Sequence, residues 1–324
     1  DLGLLQLSCR WNTNDNSLWR PSTAAPDIYN VSVQHSIFAR PLAYHSTHGI
    51  VGGYRTTSPP IDEAYERVYN ISWHHNLMSD AQQRHPNAYG GLWGVGGIEV
   101  VNNLIFNWGF EVGDIRGRGI LDFVGNYLIP GPMSQPSIWA INTDSGVFPL
   151  PGKPHSLYAA GNVGEDFYSS LNPNFSPDPV TGVYLFFVKD GPFAGPVPAA
   201  WQRYVRLPAA PAPVVPTDAP QAYADVLAFA GAGMRVPCVG GAQRTLDAVD
   251  NEVINKVVAR NGLTAPQGAP GPWPPTLPGE LCDTDVSGVP KLWAAAHGLD
   301  PERVGGNAWQ LVTVGGEAVY ALWA

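Results

Sequence analysis

A polar residue recurs at one fixed phase within five apolar segments of the chain, and few folds accommodate such a repeat. The segments are VSVQHSIF (31–38), ISWHHNLM (71–78), IEVVNNLIF (98–106), LDFVGNYLI (121–129) and LYAAGNVG (157–164). Each alternates apolar residues as a half-buried strand does, places a small polar residue, and then resumes with apolar ones. The polar positions are Ser36, Asn76, Asn103, Asn126 and Asn162, at intervals of 40, 27, 23 and 36 residues. A base period in the twenties with insertions is the pattern of a parallel β-solenoid, in which each turn is one rung and insertions leave from one face. Asparagine has a physical role there: it tolerates left-handed backbone at a tight corner, and its amide can bond the next asparagine along the stack. A β-sandwich would explain the alternation, but not an asparagine at the same place in each strand.

The composition fits such a chain. With 36 glycines, 32 prolines and only 14% charged residues in 324, it is rich in turns and poor in exposed helix. A net charge of −9 with no basic run argues against nucleic acid as a partner. No segment reaches the roughly 18 apolar residues of a membrane span. Three cysteines, Cys9, Cys238 and Cys282, leave at least one unpaired; a Cys238–Cys282 bridge and two buried thiols are both open.

From about residue 165 the repeat fades. RLPAAPAPVVPTDAP (206–220) reads as an extended proline-rich linker. After it, 221–233 and 246–262 carry apolar residues at helical spacing, the second stopping at Gly262, and KLWAAAHG (291–298) reads as a short helix. We therefore expect rungs over 1–205, and over 206–324 linkers and short helices packed along them.

The stretch ISWHHNLMSDAQQRHPNAYGG (71–91), followed by IEVVNNLIFNWG (98–109) and NYLIPGP (126–132), resembles the pectate lyase family. Its members carry an HHN strand, an RxP element and a VNN…YNWG strand in this order, and the tail of this chain also looks like that of bacterial members. The resemblance covers nearly the whole chain and implies an all-β, right-handed parallel β-helix with long loops and a C-terminal extension. Family members have several more rungs ahead of the first strand seen here. The expectation is that upstream rungs precede Asp1, or that another chain caps the open end.

The resemblance also implies β-elimination on an acidic polysaccharide, with calcium bridging carboxylates to substrate and an arginine taking the proton. By motif position that arginine is Arg84, in Arg84-His85-Pro86. The family's assisting lysine falls in YHSTHG (44–49), where His45 or His48 is the expected stand-in, His48 being the one taken as catalytic. His75, Tyr89 and Trp93 are the expected substrate-binding side chains. The family's acidic pair falls on Asn14 and Asp15, one carboxylate having become an amide, and a further glutamate falls on Arg40, whose charge opposes calcium. Asp80 and Asp114 are considered as replacement ligands on one face. A second loop, DTDVSGVPKLWA (283–294), aligns with a calcium loop through Asp283 and Asp285, but places Lys291 and Ala294 where ligands belong. Both calcium sites read as degraded. Consecutive His74 and His75 are expected to point to opposite faces of a strand.

Three readings stay open at this stage: a lyase with a remodelled site, a carbohydrate-binding protein using Trp73, Trp93 and Trp108 as stacking faces, and a structural subunit of a larger extracellular or virion assembly. All three place the protein outside the cell.

Overall fold

The computed structural model describes residues 3–7, 27–43, 46–52, 68–90, 95–115, 119–135, 139–141, 155–169, 175–189, 193–207, 214–231, 233–235, 243–268, 291–296, 309–314 and 317–322. The chain divides into two compact units, one of residues 1–231 and 250–272, the other of 232–249 and 273–324. The first unit is a parallel β-helix whose coils each contain three strands. They are β1 (Gly3–Leu7), β2 (Ile28–Gln34) and β3 (Ile37–Ala39); β4 (Thr47–Gly52), β5 (Val68–His74) and β6 (Leu77–Ser79); β7 (Asn87–Tyr89), β8 (Ile98–Val101) and β9 (Leu104–Phe106); β10 (Gly113–Ile115), β11 (Ile120–Val124) and β12 (Tyr127–Ile129); and β13 (Trp139–Ile141), β14 (Ser156–Ala160) and β15 (Val163–Gly164). Like strands stack into three parallel sheets: β1-β4-β7-β10-β13 continued by β16 (Phe187–Val188), β2-β5-β8-β11-β14, and β3-β6-β9-β12-β15. A short antiparallel strand, β17 (Gly195–Pro196), ends the first sheet.

Register follows from which side chains must be dry. In the second sheet Ile71, Ile98, Leu121 and Leu157 are stacked partners, as are Trp73, Val100, Phe123 and Ala159. Both rows belong to the interior cluster, with Met78, Ile105 and Leu128 of the third sheet and Val51, Ala88 and Ile115 of the first. A slip of one residue would turn every one of these outward. Leu185, Phe186, Val188 and Trp201 extend the same cluster beyond residue 165, where the sequence pattern no longer shows it.

The corner between the second and third sheets is two residues long and repeats in every coil. Asn76, Asn103, Asn126 and Asn162 are fully buried there. The Oδ1 of Asn103 accepts from the backbone N–H of Asn76 at 3.0 Å and from its Nδ2 at 3.1 Å. Asn126 does the same for Asn103 at 2.9 and 3.0 Å, and Asn162 for Asn126 at 2.9 and 3.0 Å. Each Nδ2 also reaches a strand carbonyl of the preceding coil at 2.8 Å: Val33, Trp73, Val100 and Phe123 in turn. The expected ladder is present, but the left-handed residue is the one before each asparagine: His35, His75, Asn102, Gly125 and Gly161 have φ between 49° and 63°. The asparagine supplies the amide, and its predecessor makes the bend.

A second row lies at the corner after the third sheet. Arg40, Asp80 and Asn107 all have positive φ (51°, 60° and 55°), and their N–H groups donate to Ser79, Phe106 and Ile129 of the next coil. Asp80 is fully buried. It accepts from Asn107 Nδ2 at 2.5 Å, Leu263 N–H at 2.8 Å and Ser79 Oγ at 2.7 Å. The outer face of the third sheet is apolar, and Leu77, Leu104, Phe106 and Ile129 pack against Val226, Ala230, Val253 and Val257. These come from and beside the helices α1 (Ala219–Phe229) and α2 (Ala248–Val258). Each such side chain gains about 1.5–3 kcal/mol on burial, so the helical segment completes the coil wall. Asp218 caps α1 by accepting from Gln221 N–H at 2.8 Å. After α2 the left-handed residue is Arg260 (φ 55°), not Gly262. Gly262 serves close approach instead, since a Cβ there would lie 2.2 Å from Asn107 Nδ2. The described parts of the proline-rich segment are docked, with Thr217 exchanging bonds with the Asn102 amide at 2.9 and 3.0 Å.

The second unit contains an antiparallel pair of Met234–Arg235 with Gln243–Arg244, the helix Lys291–Ala296, and a hairpin of Trp309–Val314 with Glu317–Leu322. Among the described residues no helix is long and apolar enough to cross a membrane.

Replacing a central ladder residue tests this account. Asn103→Ala strands the Asn76 N–H and the Trp73 carbonyl inside the coil, at about 1–3 kcal/mol for each buried unsatisfied group. We expect a loss of about 2–5 kcal/mol in urea denaturation; a loss well under 1 kcal/mol would show that the ladder contributes little.

Candidate functional site

Arg84 lies where the first sheet is irregular. Thr47 pairs with Gln83, and Ile50 pairs with Asn87, so two residues of β4 face three of the neighbouring segment. The extra residue is a β-bulge. Arg84 has φ 66°, and its carbonyl accepts from the N–H groups of both His48 (3.2 Å) and Gly49 (3.1 Å). A bulge bends its strand and re-aims the side chain at that point. Left-handed backbone costs an arginine about 1–2 kcal/mol, and it persists where surrounding bonds fix it. Two are already named; a third is His85 N–H to the Val112 carbonyl at 2.7 Å. Gly49 completes the fit, since a Cβ there would lie 2.6 Å from the Trp73 ring. The Arg84 side chain is half-buried.

Beneath the bulge lies a pair of imidazoles. His48 and His85 are both fully buried, with their Nδ1 atoms 2.8 Å apart. The other nitrogen of His48, Nε2, is 3.0 Å from the Ser79 carbonyl, which can only accept. His48 therefore donates from Nε2 and accepts at Nδ1, and His85 donates to it. Burial pushes the His48 pKa down to about 3, against the Ser79 hydrogen bond, and pushes His85 well below its usual value. His48, expected as a stand-in for an assisting lysine, is thus a neutral ring inside the coil, 6.4 Å from the Phe38 ring.

The first sheet carries Asn87, Tyr89 and Asp114 beside Arg84. Asn87 donates through Nδ2 to the Tyr89 hydroxyl, which donates to Asp114 Oδ2 at 3.2 Å. Tyr89 is 5% exposed and Asp114 1%. Among the described residues no group of three or more histidine, cysteine or acidic side chains could hold a metal ion. Calcium takes six to eight oxygen ligands, and this face supplies one carboxylate, already bonded to Tyr89. The described residues do not fit calcium. Asn14, Asp15, Asp283 and Asp285 lie outside the described residues, as do Trp93 and the three cysteines.

The other expected residues are dispersed. Asp80 occupies the corner row, its oxygens engaged, and does not share a face with Asp114. Arg40, in the same row, pairs with Glu252 of α2 at 2.9 Å and lowers that carboxyl's pKa. Trp73 and Trp108 are 0% and 2% exposed and pack in the core, so neither is a stacking face for sugar. His75 lies at the corner between the second and third sheets, apart from Arg84 at the start of the first. His74 and His75 do not point to opposite faces; their Nδ1 atoms are 2.8 Å apart, because the left-handed bend at His75 ends the strand alternation.

One polar cluster had no sequence signal. Glu99 and Asp122 are stacked partners on the second sheet, both buried. Arg203 reaches Asp122 at 2.5 Å, and Arg206 pairs with Glu99 and sits 3.6 Å from Asp122. Burial raises the Asp122 pKa to about 6, against the pull of Arg203 and Arg206 and with the push of Glu99. The pairs span 81 and 107 residues of sequence, and no local pattern connects them.

A stretch of 113 residues is 29% identical to a protein described as probable pectate lyase C from Neosartorya fischeri, covering 34% of this chain and 22% of that protein. The corresponding protein of Aspergillus fumigatus gives the same figures. That of Aspergillus flavus is 30% identical over 110 residues, covering 33% and 22%. The chain thus spans about a fifth of the length of the curated relatives it matches. No family model matches the chain. Over a third of its length the chain is thus distantly similar to fungal proteins described as probable pectate lyases.

Two outcomes follow from the geometry. Glycine relieves left-handed strain, so Arg84→Gly should leave stability unchanged or raise it by up to about 1 kcal/mol in chemical denaturation. A loss of 2 kcal/mol or more would make Arg84 a structural residue. The second concerns acid. His48, His85 and His155 stay neutral in the fold, His155 with its pKa lowered to about 4 by burial. The unfolded chain protonates them near 6.5, so their contribution is full above that pH and declines below it, by up to about 1.4 kcal/mol per ring per pH unit. Asp122, with its raised pKa, acts oppositely, weakening the fold as pH rises from about 4 to about 6. Three rings outweigh one carboxyl, so the thermal midpoint should fall from about pH 7 to about pH 5. A midpoint that rises over this range would contradict the burial assigned to these rings.

Proposed function

We propose that the protein acts on an acidic polysaccharide as a pectate-lyase-like β-helix protein, binding the polymer along the first sheet and cleaving it by β-elimination. The observation that carries the reading is Arg84, held at a bulge by backbone bonds from two neighbouring segments. The distant relationship to fungal pectate lyases supports it, and the parallel β-helix provides a long, straight surface suited to a polymer. A substrate of that size is met outside the cell, so we assign the protein there.

In the reaction, the side chain of Arg84 first gives its own proton to solvent, and the neutral guanidine then takes the proton on the carbon next to the uronate carboxylate. The electron pair of that carbon–hydrogen bond forms a carbon–carbon double bond, and the glycosidic carbon–oxygen bond on the following carbon breaks. The departing oxygen takes a proton from solvent. Arginine gives up its own proton reluctantly, so the neutral guanidine is scarce and the step requires its fixed approach to the substrate carbon. The backbone bonds that hold the bulge supply that fixity. Tyr89, held between Asn87 and Asp114, lies in β7, five residues after Arg84, and is the next polar group along that sheet for the sugar chain.

The test is ultraviolet absorbance of the unsaturated uronate product, followed with polygalacturonate and with other polyuronates, with and without added calcium. Arg84→Ala should lower the rate by about 10²–10⁴-fold, the usual contribution of a positioned acid–base group. Absence of product from every polyuronate would sink the cleavage reading. Retained glycan binding in that case would make the protein a polysaccharide-binding one.

A further inference from the structure

We propose that His74 and His75 form a binding site for a divalent late first-row transition metal, copper(II) or nickel(II), at the corner between the second and third sheets. The site is distinct from the Arg84 face. It arises from a backbone feature: His74 ends β5 and His75 has φ 53°. The left-handed residue folds the chain, so two consecutive side chains that a straight strand would separate come to the same side. Their Nδ1 atoms are 2.8 Å apart, and their rings meet nearly at right angles, with an interplanar angle of 85°.

That spacing is informative. With metal–nitrogen bonds of about 2.0–2.1 Å, two ligands at a right angle sit about 2.9 Å apart, whereas a tetrahedral pair sits about 3.3–3.4 Å apart. The pair therefore suits cis positions in a square-planar or octahedral shell, the geometries of copper(II) and nickel(II), better than a zinc tetrahedron. The surroundings fit as well. Nε2 of His74 is 3.0 Å from Ser32 Oγ on the neighbouring coil. A ligating imidazole commonly hands its second N–H to such an acceptor, which fixes the tautomer with a lone pair on the ligating nitrogen. The His35 ring stacks on His75 at 5.2 Å and 23°, forming one wall.

The corner is also rigid. His75 N–H donates to the Val101 carbonyl at 3.2 Å, and the adjoining Asn76 is locked in the amide ladder. The two ligands are thus held before any ion arrives, which lowers the ordering cost of binding. His74 and His75 each keep 9% exposure. Among the described residues no third histidine, cysteine or acidic side chain completes the set, and water fills the other positions.

The experiment is calorimetric titration of the full chain with copper(II) and with nickel(II), together with electron paramagnetic resonance of the copper form. We expect one equivalent bound, with coupling to two imidazole nitrogens. His74→Ala and His75→Asn should each weaken binding at least tenfold. Asparagine tolerates left-handed backbone, so His75→Asn removes the ligand and keeps the bend, and it carries the test if His74→Ala fails to fold. Binding unchanged by His75→Asn in folded protein, a copper spectrum with no imidazole coupling, or no binding of either ion would each overturn the proposal; in the last case the two rings share a proton.

Discussion

Everything in the first unit depends on a two-residue corner in which one residue takes left-handed backbone and the next buries its side-chain amide. A polar side chain in the dry part of a coil is tolerated only when every donor and acceptor is used. The stacked asparagines meet that condition by bonding each other, the backbone N–H of the previous asparagine and a strand carbonyl. The same bonds fix the rung-to-rung register, which decides which face of every strand is dry. The interior rows of Ile71 and Trp73, the apolar strip under the two helices and the position of the first sheet follow from it.

The two other sides of the coil answer to different constraints. The third sheet is closed on its outer face by helices, and Asp80 and Asn107 tie residue 263 to its corner through buried hydrogen bonds. The second sheet stacks two carboxylates, an arrangement that repels unless cations intervene, and Arg203 and Arg206 supply them from a later segment. Removing one partner of such a buried set typically costs about 3–5 kcal/mol. The C-terminal part of this unit therefore belongs to the same folding problem as the rungs. The first sheet is left as the side on which chemistry can vary.

Much of this was legible in the sequence, and the failures have physical causes. Ser36, Asn76, Asn103, Asn126 and Asn162 could be read as a row because a buried amide must recur at one phase to be satisfied. The left-handed residue was misplaced by one because asparagine tolerates that backbone too, and in this chain histidine and glycine share the bend with Asn102. Five of the seven strands of the first sheet are three residues long or shorter, too short for alternation to register. Arg84 was found by its place in a motif, but the bulge that aims it depends on pairing with β4, which local sequence does not encode. His48 reads as a stand-in for an assisting lysine for the same reason: its partners, Ser79 and His85, are 31 and 37 residues away. The tryptophans at 73 and 108 were ambiguous because a large aromatic ring serves a core and a sugar-binding face equally well.

The spacing of the ladder bears on how such a chain tolerates change. Successive corner residues are separated by as many as 40 and as few as 23 residues, yet they occupy equivalent places in the stack. Closing the longer excursion costs only about 0.5 kcal/mol more than the shorter, because loop entropy grows with the logarithm of length. Insertions between corners are therefore nearly free, provided that the chain returns to the next left-handed bend. The fold separates heritable geometry from disposable length, so the loops can be rewritten in sequence and size while the coil beneath them keeps its shape.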